Sequence, residues 1–249
     1  MLTLGFFFIA LLYSIVGFGG GSSYLAVLAI AEIPYEIMPK LSLICNLLVV
    51  TGGSWHYYRN GNFNKRLVLP FVLSSVPFAF LGGLYPISEK TFMILLAASL
   101  VFAGIRLLFV ERSESEVVTL PSTLSSFIVG SCLGLLSGLV GLGGGIFLSP
   151  LMLNFKWGKA KEVAATASAF IFINSLAGLA GQMLKGVPSD LLDFWPLFLA
   201  VLAGGQIGSY ISNHKKVSHL FVQRGTAVLI LIIGSRILYK ILSTVPDLQ

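Results

Sequence analysis

Long runs of apolar residues fill this chain, and their lengths constrain its fold more than any other feature. Eight such segments occupy residues 3–31, 41–58, 67–85, 91–110, 124–155, 163–184, 191–212 and 220–242. Most are close to the about 20 residues that carry a helix across the hydrocarbon core of a bilayer. In lipid the backbone must satisfy its own hydrogen bonds, as helices do and open sheets do not. The sequence therefore predicts an all-α polytopic membrane protein.

Little of the chain remains outside these segments. Only 10% of the residues are charged, against about 25% in soluble domains, and the longest polar stretch, 111–122, is too short for a soluble catalytic domain. The net charge of +6 would suit nucleic acid in a soluble protein, but in membrane proteins excess Lys and Arg are typical of cytoplasmic loops. We therefore expect the lipid bilayer, and no nucleic acid, as a partner.

The two halves of the chain carry the same landmarks in the same order. Residues 16–21 (VGFGGG) match residues 140–145 (VGLGGG). The later landmarks pair as follows: Asn46 and Gly53 with Asn174 and Gly181, Pro70 and Gly82 with Pro196 and Gly208, and Gly104 and Arg106 with Gly234 and Arg236. Glycine and proline also recur by chance in apolar helices, but the order and spacing favour a duplication. We predict a first transmembrane repeat at 1–110, a polar linker at 111–123 and a second transmembrane repeat at 124–249.

The basic residues bear on how the repeats are arranged in the membrane. Eight full crossings would place eight of the sixteen Lys and Arg residues on each side, which gives no orientation under the positive-inside rule. If segments 3–31 and 124–155 are re-entrant instead, each half crosses three times and the repeats are inverted. Eleven basic residues then lie in the cytoplasm, and the five outside are Lys40, Lys90, Lys185, Arg236 and Lys240. This favours inverted repeats with both termini extracytoplasmic, and tilted full spans are the alternative.

Each half opens with a long apolar segment that the sequence Gly-x-Gly-Gly-Gly interrupts. An unbroken helix over 3–31 would reach about 43 Å, against a hydrocarbon core of about 30 Å, and glycines are poor helix formers. We expect half-helices of about 14 and about 10 residues. The second half-helix of each pair would begin with free N–H groups and the positive end of its dipole, so two such ends meeting near the midplane would bind a small anion. Alternatively, the glycines only permit close helix packing.

The candidate substrate-binding residues are the glycines of these breaks and the polar side chains that accompany them. Asn46 and Asn174 recur in register, and an amide can donate a hydrogen bond to an anion. Each Ser, Thr or amide could instead bond a neighbouring helix, as could Thr51 and Gln182, and Lys40 could attract an anion or extend its amine to the interface. The full candidate set is Gly19, Gly20, Gly21, Ser22, Ser23, Ser42, Asn46, Gly143, Gly144, Gly145, Thr166, Ser168 and Asn174.

The apolar segments carry no Asp or Glu well inside them. Carboxylates are typical of intramembrane cation sites and proton relays, so the solute is expected to be neutral or anionic. The sequence contains no zinc-ligand spacing, no nucleophile elbow and no P-loop. We therefore expect no enzyme activity, no catalytic residue, no metal and no cofactor.

With these residues in view, the sequence resembles the sulfite exporter TauE/SafE family of membrane transporters. The resemblance covers essentially the whole chain and is carried by residues 15–21 (IVGFGGG), 139–151 (LVGLGGGIFLSPL), 104–108 (GIRLL) and 234–238 (GSRIL). It implies movement of sulfite or small organosulfonates such as sulfoacetate across the bacterial inner membrane, commonly as export. The first half has Ala26 where the second has Pro150, so the two half-helices need not contact substrate equally.

We interpret the chain as a secondary transporter of sulfite, an organosulfonate or a related sulfur oxyanion, working by alternating exposure of a site at the glycine breaks. A passive small-anion channel of the same architecture is the alternative function, and a membrane scaffold that moves nothing is a third. The expected location is the bacterial inner membrane, as a multi-pass protein. The coupling ion and a homodimer stay open.

Overall fold

The computed structural model describes residues 1–16, 18–59, 61–109, 118–214 and 219–243. These residues form ten α-helices, a 3₁₀ turn at Ser189–Phe194, and no strand. Five stretches are long and apolar enough to cross a membrane, at Lys65–Leu84, Glu89–Leu108, Thr123–Val140, Ala160–Leu184 and Ser189–Ile211. The predicted all-α polytopic fold is confirmed at this level. The helices are α1 (Leu2–Val16), α2 (Gly21–Ile30), α3 (Met38–Arg59), α4 (Lys65–Leu84), α5 (Glu89–Leu108), α6 (Thr123–Val140), α7 (Gly145–Asn154), α8 (Ala160–Leu184), α9 (Trp195–His214) and α10 (His219–Ser243).

Both glycine sequences interrupt their helices, as predicted. The first segment is divided into α1 of 15 residues and α2 of 10, and the second into α6 of 18 residues and α7 of 10. By length and composition α6 could cross a membrane alone, whereas α1 and α2 are shorter. Re-entrance of these two pairs therefore stays a prediction. Most of the predicted linker at 111–123 lies outside the described residues.

Short polar side chains mark the starts of several long helices. Asn64 accepts a hydrogen bond from the Arg66 N–H at the start of α4, and Ser88 accepts one from the Thr91 N–H at the start of α5. Ser122 does the same at the start of α6. These caps satisfy N–H groups that have no partner within the helix, so the helix boundaries follow from local sequence.

The first helix of each half packs along a helix of the other half: α1 lies against α9, and α6 lies against α4. Glycines make this approach close. A Cβ atom added at Gly204 or Gly208 of α9 would collide with a backbone oxygen of α1, and one added at Gly138 of α6 would collide with the Ala79 oxygen of α4. Small residues thus bring the helix backbones into direct contact, as is common in membranes.

Helices α3 and α8 pack against each other, and α2 and α7 lie against α3 and α8 respectively. The hydroxyls of Ser54 on α3 and Ser168 on α8 are 2.7 Å apart and form a hydrogen bond across this contact. The starts of α2 and α7, which follow the glycine breaks, therefore lie beside the α3–α8 pair. This packing positions the candidate site.

Candidate anion-binding site

The side chain of Asn46 on α3 lies between the two glycine breaks. A Cβ atom added at Gly19 would be 2.6 Å from its Oδ1, and one added at Gly21 would be 2.6 Å from its Nδ2. In the second break, a Cβ atom at Gly143 would be 2.7 Å from the same Nδ2. The fold thus brings two glycine sequences more than a hundred residues apart to one amide.

One turn before Asn46, Ser42 also connects the breaks. Its hydroxyl donates to the Gly141 carbonyl at 2.7 Å and lies 3.2 Å from the Gly21 carbonyl. A hydroxyl has one proton, so the shorter contact is the principal bond and the longer one a weak second branch. Ser42 therefore acts on the carbonyl side of the breaks, where it fixes their separation.

The backbone at the breaks has a conformation that only glycine adopts readily. Gly20 and Gly144, which directly precede α2 and α7, have φ angles of 86° and 78°. For other residues the left-handed region brings Cβ too close to the following carbonyl oxygen. These glycines turn the chain sharply, so that each new helix starts in the protein interior.

The starts of α2 and α7 are buried and electropositive. Residues 19–26 and 141–150 are all buried, and neither helix has a side-chain cap among the described residues. The first N–H groups of a helix lack intrahelical partners, and its dipole places partial positive charge there. Two such starts beside Asn46 can attract an anion without any formal charge.

The amide of Asn46 is completely buried, and within the described part of the chain neither its nitrogen nor its oxygen has a hydrogen-bond partner. Leaving a buried polar group unpaired costs about 1–3 kcal/mol. A bound oxyanion would accept a hydrogen bond from Nδ2 and remove part of this penalty. The amide of Asn174 on α8 is equally buried and likewise unpaired among these residues.

The other predicted polar residues divide into two groups. Thr166 is buried with an unpaired hydroxyl among the described residues, whereas Ser168 is bonded to Ser54 of the neighbouring helix. Thr51 donates to the Leu47 carbonyl of its own helix, on an exposed face. Ser168 and Thr51 thus make the helix bonds that the alternative interpretation expects of them.

A cluster of hydroxyls lies beside the first break. The Tyr13 hydroxyl is 2.8 Å from the Ser23 hydroxyl and 3.2 Å from that of Ser22, and the Thr226 hydroxyl of α10 also bonds it. The ring of Tyr24 covers Gly20, whose added Cβ would be 3.1 Å from the ring, and the Tyr24 hydroxyl is buried without a partner among the described residues. Ser22 and Ser23 therefore face a polar environment.

Sequence reasoning missed Tyr13, Tyr24 and Thr226. A signal for Tyr13 was available, because it lies on the helix just before the break and a chain reversal there would bring it back to Ser22 and Ser23. Thr226 comes from the far end of the sequence, and nothing local indicates its position.

Apart from Asn46 and Ser42, the side chains around the second break are mainly apolar. An added Cβ at Gly144 would be 2.7 Å from the Phe170 ring, and Cβ atoms at Gly143 and Gly145 would contact or collide with the Ile171 side chain. The polar groups that touch both breaks thus come from α3, while α8 presents Phe170 and Ile171. The two breaks have unequal surroundings.

Comparison with known proteins gives matches over most of the chain. The family model described as "Sulfite exporter TauE/SafE" matches residues 2–237. A protein of Sinorhizobium fredii described as "Probable membrane transporter protein y4hK" is 33% identical over 244 residues, which cover 96% of this chain and 97% of that protein. Two Bacillus subtilis proteins with the same description, YunE and YdhB, are each 24% identical and span 91% and 85% of this chain and 92% and 87% of their own lengths.

Proposed function

The chain belongs to the sulfite exporter TauE/SafE family, and from this premise we propose that it is a secondary transporter that exports sulfite or a small organosulfonate. Membership makes the protein a multi-pass membrane transporter. The substrate and the direction of transport are the proposal. A location in the bacterial inner (plasma) membrane agrees with the bacterial sources of the relatives.

The main support for the proposal is that the Asn46 amide lies between two buried helix starts, neither of which has a side-chain cap among the residues that the structure describes. Sulfite and sulfonate groups present three oxygens on one sulfur atom, so they can accept hydrogen bonds from several directions. The two helix starts supply backbone donors and partial positive charge, and Asn46 supplies a side-chain donor. Ser22, Ser23 and Tyr13 extend the donors on the side of the first break.

The helix contacts support a pseudo-twofold relation between the two halves, and the basic residues favour its inverted form. The pairing of α1 with α9 has a counterpart in that of α6 with α4, and the pairing of α2 with α3 has one in that of α7 with α8. Exchanging the halves therefore preserves these contacts, which is expected of repeats related by a pseudo-twofold axis. Movement of one half against the other would expose the central site alternately, with the termini extracytoplasmic as the basic residues favour.

Radiolabelled counterflow in proteoliposomes tests the function. The unlabelled anion inside the vesicles would be sulfite, thiosulfate, sulfate, sulfoacetate or taurine, and uptake of labelled sulfite would be measured. The proposal predicts saturable sulfite uptake, stimulated by internal sulfite or a sulfonate. Linear uptake without counterflow would identify a channel, and no uptake of any anion would refute transport.

A pair of variants on α3 tests the site. Asn46→Leu keeps the approximate size of the side chain but removes its donor. A hydrogen bond to a charged group is worth about 1.5–3 kcal/mol, so the half-saturation concentration should rise about 10- to 150-fold. Thr51→Val is the matched control, because the Thr51 hydroxyl bonds its own helix away from the breaks. Wild-type half-saturation in Asn46→Leu would exclude Asn46 from the site.

A further inference from the structure

A pocket that contains charged side chains lies where α3 begins and α8 ends, outside the candidate site. Its volume is about 370 Å³, which lies within the about 300–1,000 Å³ typical of small-molecule sites. The helix ends and the loops after α4 and α8 surround it on one face of the protein. Its lining includes Glu36, Pro39, Lys40, Leu139, Gln182 and Lys185.

Two lysines give this pocket its charge. Lys40 is 4% exposed, and its ammonium donates to the Glu36 carbonyl at 2.8 Å. Lys185 lines the same pocket just beyond the end of α8, where partial burial and then the positive charge of Lys40 lower the pKa of its ammonium. The Glu36 carboxylate acts electrostatically on Lys40, so one unit of positive charge is left uncompensated within these three residues.

The floor of the pocket adjoins the second glycine break. An added Cβ at Gly141 would be 2.7 Å from the Pro39 Cα, and the Gln182 side chain donates to the Gly138 carbonyl at 2.8 Å. On the other side of this floor the Ser42 hydroxyl bonds the Gly141 carbonyl. The pocket and the second break therefore adjoin at Pro39, next to Lys40.

We propose that this pocket is a second anion site, in which Lys40 and Lys185 hold a small sulfur oxyanion on its way between the glycine breaks and one face of the membrane. The inference rests on the proposed function, since the pocket would be a peripheral binding site on the pathway of the same substrate. In the proposed inverted arrangement the pocket lies on the extracytoplasmic face, because α3 starts and α8 ends there. An anion at this position would relieve the repulsion between the two ammonium groups.

Four variants test the second site in proteoliposomes sorted by orientation. Lys40→Gln and Lys185→Gln each remove a pocket charge, Glu36→Gln removes the opposing charge, and Lys90→Gln is the control, because Lys90 is exposed and does not line the pocket. The measurement is the half-saturation concentration for sulfite on each face separately, with the maximal counterflow rate.

If the second site exists, these variants should change the sulfite half-saturation in a defined direction and on one face of the membrane only. Each pocket lysine variant should raise the extracytoplasmic half-saturation about fivefold to tenfold, Glu36→Gln should lower it, and Lys90→Gln should leave it unchanged. The cytoplasmic half-saturation and the maximal rate should stay at wild-type values, because the central site is intact. An equal rise with Lys90→Gln, or no rise with Lys185→Gln, would overturn the second site and leave the central one untouched.

Two other outcomes, failed insertion of Lys40→Gln and no sulfite transport by the wild-type protein, can also be interpreted. If Lys40→Gln fails to insert because Lys40 is buried, Lys185→Gln and Glu36→Gln decide the question by their opposite signs. If wild-type protein moves no sulfite, the proposed function fails first, and equilibrium binding of radiolabelled sulfite to solubilised wild-type and Lys185→Gln protein then tests the pocket. Equal binding by the two proteins would overturn it.

Discussion

Replacing Gly21 with alanine tests whether the two glycine breaks and Asn46 act as one unit. The new methyl group would lie 2.6 Å from the Asn46 Nδ2 and 2.8 Å from the Leu142 carbonyl oxygen. The first neighbour is the side chain proposed to bind substrate, and the second is backbone of the opposite break. Neither distance is compatible with ordinary van der Waals contact, so the amide must turn away and the breaks must separate.

The expected magnitude follows from these two contacts. Carbon and nitrogen atoms pack at about 3.5 Å, so Asn46 must move by roughly 0.9 Å. Overpacking of this kind typically costs about 1–3 kcal/mol of stability, and the better helix propensity of alanine returns up to about 1 kcal/mol. Losing the amide's bond to the anion should raise the half-saturation concentration about 10- to 150-fold. Binding should therefore suffer more than folding.

The assay compares Gly21→Ala with Gly5→Ala, a variant of a glycine in the helix just before the same break. An added Cβ at Gly5 meets nothing within 4 Å, so Gly5→Ala should be neutral or stabilise its helix by about 0.5–1 kcal/mol. Sulfite counterflow gives the half-saturation, and thermal unfolding of the solubilised protein gives the stability. Wild-type half-saturation in Gly21→Ala, or an equal rise in Gly5→Ala, would show that the two breaks and Asn46 do not bind substrate as one unit.

Three further outcomes are expected. Gly138→Ala places its methyl group on a backbone oxygen of α4, so it should lower the melting temperature more than Gly21→Ala does; an unchanged melting temperature would contradict the close packing. Tyr24→Phe removes a buried hydroxyl that has no partner in the described part of the chain, so the melting temperature should stay or rise. The sulfite half-saturation should rise about tenfold or more, and a normal half-saturation would remove Tyr24 from the site. Partial burial and then the charge of Lys40 lower the pKa of the Lys185 ammonium, so part of its positive charge is lost below the about 10.4 of free lysine. The extracytoplasmic half-saturation should therefore rise with pH already below that value. A titration of Lys185→Gln that kept this rise would assign it to another group.

Much of the architecture follows from the sequence because lipid leaves the backbone few options. The apolar segments become helices, and the breaks fall at Gly20 and Gly144 because those positions adopt the left-handed conformation. The expected half-helix lengths of about 14 and 10 residues are close to those of α1 and α2. In the second half α6 is longer, at 18 residues, because Ser122 caps its start and the apolar run continues from 124 to the break.

The candidate site was less accessible to sequence reasoning. Asn46 could be chosen because it recurs in register with Asn174, but its contact with both breaks depends on packing between residues far apart in the chain. The same dependence explains why Ser168, equally polar and equally buried, bonds Ser54 of a neighbouring helix instead. The sequence does not tell which polar side chains bond a neighbouring helix, and only the tertiary structure identifies Ser54 as the partner of Ser168.

The unequal surroundings of the two breaks were visible in part. Ser22 and Ser23 follow one triplet and Ile146 and Phe147 follow the other, which favours asymmetric contacts with substrate. The structure adds the Tyr13 hydroxyl on the polar side and the Phe170 ring on the apolar side. Whether a bound anion lies nearer the first break stays a prediction.

The pairing of α1 with α9 has a consequence for how the protein is made. Helix α1 is synthesised first, yet the Gly204 and Gly208 surface against which it packs leaves the ribosome only after about 190 more residues, or roughly 10–40 s at typical elongation rates. During that interval the face of α1 that will contact α9 stays uncovered, since the main contact of α1 lies in the second half. The nascent first half must therefore wait in the membrane, held by lipid or by the insertion machinery, until the second half arrives to complete it.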